Sequence, residues 1–225
     1  MLHSLAHGYS NFVLELTKLT MGALTKELQR QITPERALEL LKEGNQRFSS
    51  DKCIKRNHME SVCETANEQN PYAVILSCID SRTPSSLVFD LGIGDFFSIR
   101  VAGNVVNEDV LGSMEYACKV VESKIILVLG HSKCGAVSSA CKHVEMGHIS
   151  QLLHKIEPSV QKVAECESDI TSDESVQKVA ELNVFASIEE IRAKSPILKE
   201  MEEKGEIKIV GGMYNVETGL VDFYE

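Results

Sequence analysis

Residues 71–82 read PYAVILSCIDSR, an apolar run that ends abruptly in polar and charged side chains. An uninterrupted apolar run of this kind predicts a β-strand covered on both faces, which is typical of parallel sheets. Further strands are predicted at residues 98–101, 125–129 and 207–211. The strand at 125–129 is also followed by a polar cluster, HSKCG at residues 131–135. The two polar clusters therefore occupy equivalent positions, each just beyond the end of a buried strand.

Helical patterns alternate with the predicted strands. An early helix starts at Thr33-Pro34, a hydroxyl cap followed by proline, and runs to about Phe48 with Gly44 as a weak point inside it. Later amphipathic segments predict helices at about 85–91, 109–121, 134–147 and 175–192. A last short strand lies within residues 214–223. This alternation predicts an α/β fold, a mostly parallel sheet of about four strands with a short fifth edge strand, flanked by helices.

The length of 225 residues fits one domain with an attached arm. We assign residues 1–30 to an N-terminal helical arm, because Phe12, Leu16 and Leu19 recur at helical spacing. Two interpretations of the arm stay open, a segment that packs on a neighbouring subunit and a poorly ordered extension. Residues 31–225 then form a single α/β domain, since no linker separates two full domains.

Charge and composition argue against several classes of partner. The formal net charge is −10 and the isoelectric point is near 5.3, whereas nucleic acids and anionic membranes require a cationic face. No apolar window is long enough for a transmembrane helix. The seven cysteines are an odd number without framework spacing, which suits a reducing compartment. Because the N-terminus also lacks the features of a signal peptide, we expect a cytoplasmic protein with no nucleic-acid or membrane partner.

Three potential metal ligands follow the two central strands. Cys78 comes directly after the first strand, and His131 and Cys134 follow the strand at 125–129. If these strands are neighbours, their carboxyl ends bring the three side chains to one edge of the sheet. Two thiolates and an imidazole, with a fourth position open, form a ligand set of catalytic zinc. Cys134 and Gly135 also begin a helix, whose dipole favours a thiolate, and the glycine lets the backbone approach closely.

Asp80 and Arg82 lie two residues apart, directly beside the first of these ligands. One interpretation is a surface ion pair in a turn, which contributes less than about 1 kcal/mol. Beside a metal, Asp80 could instead take the fourth ligand position or accept a hydrogen bond from a metal-bound water. A bidentate Arg82 would hold the carboxylate in the second role. The pair would then control access to the metal.

The pattern Cys-x-Asp-x-Arg at residues 78–82, followed about fifty residues later by His-x-x-Cys at 131–134, resembles the β-class carbonic anhydrases. The likeness extends from about residue 30 to the end of the chain. It includes EGNQRF at 43–48, DFFSIRVAGN at 95–104, Glu115-Tyr116 and the closing Tyr-x-x-x-x-Gly turn at 214–219. Together these motifs are far more specific than any one of them.

The resemblance implies an activity and a cofactor for the domain at 31–225. One zinc ion per chain would be held by Cys78, His131 and Cys134, with a water or hydroxide as fourth ligand. Asp80, oriented by Arg82, would accept the hydroxide proton in a hydrogen bond and leave a lone pair facing carbon dioxide. The implied reaction is the reversible hydration of carbon dioxide to bicarbonate and a proton, the reaction of a carbonate dehydratase, which is a lyase.

Substrate-contacting residues follow from the same resemblance. Gln69, nine residues before the first cysteine ligand, matches the amide that orients the substrate in the family. Phe97, Ala102 and Tyr116 match positions that line the apolar pocket, and we place Gly135 beside the substrate with them. Some of these positions are contributed across a dimer interface in the family. We therefore predict a homo-oligomer, either a dimer or a dimer of dimers.

The family has two subtypes, and the sequence favours one of them. In the other subtype, a tryptophan three residues before the first cysteine helps to form an inhibitory bicarbonate site. Here that position is Ile75, and the chain contains no tryptophan. Arg100 occurs in both subtypes and does not discriminate between them. The resemblance thus implies the open, water-bound form without bicarbonate allostery.

Three alternative functions stay open at this point. A carbonyl sulfide or carbon disulfide hydrolase shares the ligand pattern and would differ only in pocket shape. A non-catalytic zinc protein is less compatible with Asp80, Arg82 and Gln69, because a purely structural site does not need residues that orient water. A redox protein using Cys78 and Cys134 lacks a Cys-x-x-Cys motif.

Overall fold

A five-stranded sheet forms the centre of the computed structural model, which describes residues 22–224. The strands are β1 (Ala73–Ser77), β2 (Phe96–Arg100), β3 (Ile125–His131), β4 (Lys208–Tyr214) and β5 (Val221–Tyr224). Their spatial order is β2-β1-β3-β4-β5. The first four strands are parallel, and β5 pairs antiparallel with β4. The predicted α/β class, with a mostly parallel sheet and a short fifth strand at one edge, is confirmed.

Helices cover both faces of this sheet. They are α1 (Lys26–Gln31), α2 (Pro34–Ser49), α3 (His58–Glu64), α4 (Ser85–Val88), α5 (Glu108–Glu115), α6 (Gly135–Cys141), α7 (Gly147–Leu153), α8 (Glu157–Ala164), α9 (Asp173–Lys194) and α10 (Pro196–Glu203). A 3₁₀ turn occupies Ala102–Asn104, and α5 continues into a π-helical turn at Tyr116–Val120. Among residues 22–224, no helix is both long and apolar enough to cross a membrane.

The strands β1 and β3 explain why the sequence reads as uninterrupted apolar runs. Every residue of both strands is buried, because each strand carries side chains into two apolar layers. Val74 and Leu76 face the layer formed with α6, α8 and α9, whereas Ala73 and Ile75 face the layer formed with α2. Full burial of a large aliphatic side chain stabilises a fold by about 1.5–3 kcal/mol. These two strands therefore fix the sheet whose carboxyl edge carries the polar clusters.

Helix α2 begins where the sequence predicts, but the role of one glycine inside it differs from the prediction. The Thr33 hydroxyl accepts a hydrogen bond from the amide of Arg36, and Pro34 is the first helical residue. Gly44 is not a weak point, however. A Cβ at this position would lie 2.0 Å from the carbonyl oxygen of Phe89, so only glycine lets α2 approach the end of α4 this closely.

Two helical segments differ from the sequence pattern. The pattern at 134–147 predicts one helix, but the chain forms α6 and α7 with a break between them. His143 and Gly147 adopt left-handed backbone conformations there, with φ of 49° and 47°. Helix α10 was not predicted at all, although Ser195 caps it and Pro196 opens it, the same signal that starts α2.

Part of the segment assigned to the N-terminal arm packs on the domain. Leu24 is buried, and the Gln29 amide in α1 donates hydrogen bonds to the carbonyl oxygens of Pro71 (2.7 Å) and Val121 (3.0 Å). The helix predicted around Phe12 and Leu16 lies outside the described residues. The boundary at residue 30 therefore stays a prediction.

Candidate active site

The three predicted ligands converge at the carboxyl edge of the sheet. Cys78 follows the last residue of β1, His131 is the last residue of β3, and Cys134 is the N-cap of α6. The two strands are parallel neighbours with Ser77 opposite Leu129, so their ends coincide. The two sulfur atoms and a ring nitrogen of His131 all lie within 4.8 Å of one another, and all three residues are buried.

One ring nitrogen of His131 forms a hydrogen bond with the protein, and the other forms none. Nδ1 lies 2.9 Å from the carbonyl oxygen of Ser132, which can only accept a hydrogen bond, so the proton sits on Nδ1. Nε2 is buried and has no hydrogen-bond partner. A buried polar atom without a partner is costly unless a ligand completes it. The free lone pair of Nε2 is therefore available to a metal ion.

The thiols of Cys78 and Cys134 shift each other's pKa in opposite directions. The Cys134 thiol hydrogen-bonds to the Cys78 sulfur and lowers the pKa of Cys78, and the amide of Gly103 supports the thiolate from 3.3 Å. The same contact with Cys78, together with burial, raises the pKa of Cys134. A metal ion bound here would displace the remaining thiol proton and meet two thiolates, as zinc does in proteins.

These donors fit zinc. Two sulfur ligands and one imidazole nitrogen match the borderline-soft character of Zn²⁺, and three protein ligands leave one position for water or substrate. The buried Nε2 of His131 also supports a metal site, because it lacks a partner that a metal ion would supply. The fit rests on the side chains of this chain alone.

Asp80 is fixed by Arg82 beside the ligands. Arg82 donates from Nε (3.0 Å) and its backbone amide (2.9 Å) to Oδ1, and from Nη2 (2.8 Å) to Oδ2. These hydrogen bonds lower the pKa of Asp80 to about 2. Oδ2 lies 3.9 Å from Nε2 of His131, so the carboxylate adjoins the position that a metal would occupy. Asp80 is thus an ionised, acceptor-only group with a fixed direction.

Further residues shape the loop that carries Asp80. Arg100 donates from Nε to the carbonyl oxygen of Cys78 (3.0 Å) and from Nη2 to that of Asp80 (2.6 Å). The Thr83 hydroxyl donates to the same Asp80 carbonyl (3.0 Å). Gly103, with φ of 68°, presents its amide to the Cys78 sulfur. Sequence reasoning gave none of these three residues a role, although Arg100 and Gly103 lie in the quoted RVAGN motif.

The predicted pocket residues Phe97 and Tyr116 lie apart from this cluster. Their rings meet edge-on with centroids 6.4 Å apart. They line an open groove of about 590 Å³ beside the edge strand β2, together with Glu108, Asp109 and Gly112. None of the three ligands lines the groove.

Gln69 is farther still from the ligands. It is exposed and precedes β1, whereas Cys78 follows that strand. The five residues of β1 separate the two by roughly 16 Å at the usual rise per strand residue. Within one chain, the structure therefore does not bring Gln69 to the site.

Ala102 and Gly135 adjoin the cluster directly. Ala102 is half-buried next to Gly103, and Gly135 is exposed immediately after Cys134. A Cβ at Gly135 would meet no atom within 4 Å, so packing within the described chain does not require glycine there.

Comparison with known proteins identifies the family. The family model described as "Carbonic anhydrase" matches residues 73–221, more than half of the chain. The chain belongs to the β-class carbonic anhydrases. The matched range contains the three ligands and the Asp80–Arg82 pair of the candidate site, but begins after Gln69. The predicted enzyme class, carbonate dehydratase, is thereby confirmed.

Individual carbonic anhydrases agree with this assignment, and the solved ones are of the β class. Carbonic anhydrase 2 of Mycobacterium tuberculosis is 34% identical over 194 residues, covering 83% of this chain and 90% of that protein. The Coccomyxa β-carbonic anhydrase, solved in complex with acetazolamide, is 27% identical, with a TM-score of 0.66 over 80% of this chain and 82% of its own. An Aspergillus fumigatus β-carbonic anhydrase is 27% identical, with a TM-score of 0.65 over 85% and 90% of the two chains.

Proposed function

We propose that this β-class carbonic anhydrase hydrates carbon dioxide reversibly to bicarbonate and a proton, using one zinc ion per chain held by Cys78, His131 and Cys134. The observation that carries the proposal is the unpartnered Nε2 of His131, buried beside the thiols of Cys78 and Cys134. When bound, zinc supplies a Lewis acid that lowers the pKa of water from 15.7 to about 7. Membership of the family supports carbon dioxide as substrate.

Asp80 orients water in this proposal and does not take up its proton. With a pKa of about 2, the carboxylate stays ionised near neutrality and can only accept a hydrogen bond. Arg82 engages both oxygens and so fixes the direction of the remaining lone pairs. The same bonds restrain Asp80 from turning toward the ligands. The arrangement therefore supports the open form, in which the carboxylate positions a water for attack on carbon dioxide.

Stopped-flow carbon dioxide hydration near pH 8, on protein of measured zinc content, tests the proposal. We expect about one zinc per chain and fast turnover. Asp80→Asn should keep zinc and hydrate carbon dioxide about tenfold to a hundredfold more slowly, the usual effect of removing such a positioning group. Asp169→Asn, an exposed aspartate in a surface turn, is the matched control. Bound zinc without hydration would contradict the proposal and direct attention to carbonyl sulfide.

We also propose a homo-oligomer, with a dimer as the smallest active unit. The support is that Gln69 and Tyr116 are exposed, that Gln69 lies at the opposite end of β1 from Cys78, and that Tyr116 lines a groove that contains none of the three proposed ligands. The open groove beside β2 leaves an unpaired strand edge that a second copy would cover. Sedimentation at micromolar concentration should therefore give at least twice the chain mass of 24.9 kDa. A monomer with full activity would contradict this proposal.

The absence of bicarbonate inhibition remains part of the proposal. Ile75, where the other subtype has tryptophan, is fully buried in the layer against α2. We expect hydration rates to follow a simple dependence on bicarbonate, limited to product inhibition. A cooperative loss of activity with rising bicarbonate would show that an inhibitory site exists without the tryptophan.

We propose the cytoplasm as the location. The support is that all seven cysteines are free, and that Cys53, Cys63 and Cys166 are exposed. Exposed free thiols persist in reducing compartments. Fractionation of cells that express the full chain should recover it in the cytosol with its thiols reduced, and recovery from an oxidising compartment would contradict the assignment.

A further inference from the structure

The turn that joins β4 to β5 contacts the segment that carries His131. The backbone amide of Ser132 donates to the carbonyl oxygen of Tyr214 (2.9 Å), and the Ser132 hydroxyl accepts from the amide of Val216 (3.0 Å). The third polar group of Ser132, its carbonyl oxygen, accepts the hydrogen bond from Nδ1 of His131. One residue therefore links the imidazole to the turn through three of its atoms.

The turn itself is internally braced. The side-chain oxygen of Asn215 accepts hydrogen bonds from the amides of Glu217 (2.8 Å) and Thr218 (3.2 Å). Its carbonyl oxygen accepts from the amide of Gly219 (2.9 Å), a residue with φ of 75° that favours glycine. These bonds and the positive φ explain the glycine of the closing Tyr-x-x-x-x-Gly motif. The turn can therefore transmit a restraint from one of its ends to the other.

Asn45 anchors the far end of the turn. Its side chain lies in α2 and is 4% exposed. Oδ1 accepts from the amide of Val221 (2.9 Å), while Nδ2 donates to the carbonyl oxygens of Gly219 (2.9 Å) and Val88 (3.1 Å). All three bonds are to backbone, so the amide fixes the path of the chain and not a neighbouring side chain. This accounts for the asparagine of the EGNQRF motif, which the catalytic proposal leaves unused.

We infer that Ser132 and Asn45 are positioning residues for the metal site, acting on His131 through the β4–β5 turn. The inference rests on the proposed zinc ligation by His131. The direction of the Ser132 carbonyl sets the orientation of the Nδ1–H bond and hence the direction in which Nε2 points. Loss of the Ser132 hydroxyl removes one of the two hydrogen bonds that hold this residue to the turn, and so loosens the peptide that carries this carbonyl. Ser132 touches neither zinc nor substrate in this scheme.

Ser123 provides the matched comparison. Like Ser132, it uses its hydroxyl in one hydrogen bond with the backbone, donating to the carbonyl oxygen of Pro71 at 2.9 Å. It is 1% exposed and lies just before β3, at the end of the sheet opposite the ligands. Ser123→Ala therefore removes a buried serine bond without touching the turn or His131.

The test measures zinc release to an excess of chelator and the visible spectrum of the Co²⁺-substituted protein. Ser132→Ala should release zinc about tenfold faster than the wild type, the lower end of the range for such supporting groups. Its Co²⁺ bands should shift, since the imidazole orientation changes. Ser123→Ala should match the wild type in both measurements. Ser132→Thr, which keeps the hydroxyl, should restore slow release and the original spectrum.

Equal release rates and spectra for Ser132→Ala and Ser123→Ala would overturn the inference. A folded Asn45→Ala should release zinc as fast as Ser132→Ala, and slow release would contradict the role of Asn45. If Asn45→Ala does not fold, the comparison of Ser132→Ala with Ser123→Ala still tests whether the turn acts on His131. A wild-type protein that binds no zinc would defeat the proposed function itself. If the wild type binds zinc and Ser132→Ala matches it in release rate and spectrum, only the positioning role would be wrong.

Discussion

The carboxyl edge of β1 and β3 differs sharply from the surface beside β2. At the edge, the three ligand residues are buried, and Asp80 is held by three hydrogen bonds from Arg82. Beside β2, Tyr116 is 54% exposed over an open groove of about 590 Å³. At the carboxyl ends of β1 and β3, one chain supplies all the residues of the cluster. Beside β2, by contrast, nothing in the described chain covers the unpaired side of the strand or the aromatic rings.

This difference separates two requirements of the proposed enzyme. In the proposal, the binding of zinc depends on side chains that one chain brings together by its own strand register. The proposed substrate pocket depends on residues that the same chain leaves on its surface. Metal binding should therefore survive changes to the groove, and hydration should not.

Removal of a ligand should have the largest effect. Cys134→Ala leaves only one sulfur and the imidazole of His131, which is too few ligands for a stable catalytic zinc site. We expect zinc to fall from about one to near zero per chain and hydration to fall to the uncatalysed rate. Atomic absorption and stopped flow measure the two. Cys118→Ala, another buried cysteine away from the site, should keep both properties. Retention of zinc by Cys134→Ala would show that another ligand exists.

Arg82→Lys should have the next largest effect. Lysine keeps the charge but cannot make the paired bonds to Oδ1 and Oδ2 of Asp80. We expect a loss of about tenfold to a hundredfold in kcat/KM with zinc content unchanged. Arg36→Lys is the control, because Arg36 makes a similar two-pronged contact with Glu43 on the surface of α2. Equal rates for both lysine variants would show that Asp80 needs no fixed direction.

Gln69 offers a direct test of whether the site draws on two chains. Gln69→Ala alone should keep zinc and lose roughly tenfold or more in rate, because an oriented donor is removed. Co-expression with Cys134→Ala chains should form mixed dimers, in which the zinc site of one chain meets the intact Gln69 of the other. We expect the rate per zinc to recover toward that of the wild type. No recovery in purified mixed dimers would contradict a shared site.

The sequence predicted that Cys78, His131 and Cys134 lie together, because each of them follows a strong local signal. Cys78 and His131 follow apolar runs whose ends are easy to locate, and parallel strands align their carboxyl ends. The adjacency of β1 and β3 could not be predicted from either apolar run. It is a property of the whole sheet, in which β2 is placed on the outside.

Residues whose location depends on the whole fold were harder to predict. Gln69 is near Cys78 in sequence, yet an extended strand carries the two to opposite ends of the sheet. Ser132 and Asn45 meet the same turn from segments more than eighty residues apart, so no local pattern reveals their contact. Arg100 likewise reaches the Asp80 carbonyl from another strand. The sequence contained these residues within recognisable motifs, but their partners come only from the fold.

Asp90 should have the smallest effect on the site and a clear effect on stability. Burial alone would raise its pKa, but Arg47 and Arg56 outweigh burial and hold the pKa below its usual range. Asp90→Asn removes the charge while asparagine tolerates the φ of 47°. We expect unchanged zinc and hydration at pH 7, with a free energy of unfolding lower by about 3 kcal/mol.

The stability difference between the wild type and Asp90→Asn should depend on pH in a direction set by the depressed pKa of Asp90. A carboxyl group with a depressed pKa in the folded state stabilises the fold fully above its unfolded pKa, about 3.9 for aspartate, and loses this contribution as the pH falls toward the folded value. The difference between the wild type and Asp90→Asn should therefore be constant from about pH 5 to 7 and shrink below pH 4. Acid release of zinc affects both proteins equally, so the difference isolates the carboxylate. A difference that grows on acidification would mean that Asp90 is protonated in the folded protein, and that the two arginines do not hold it ionised.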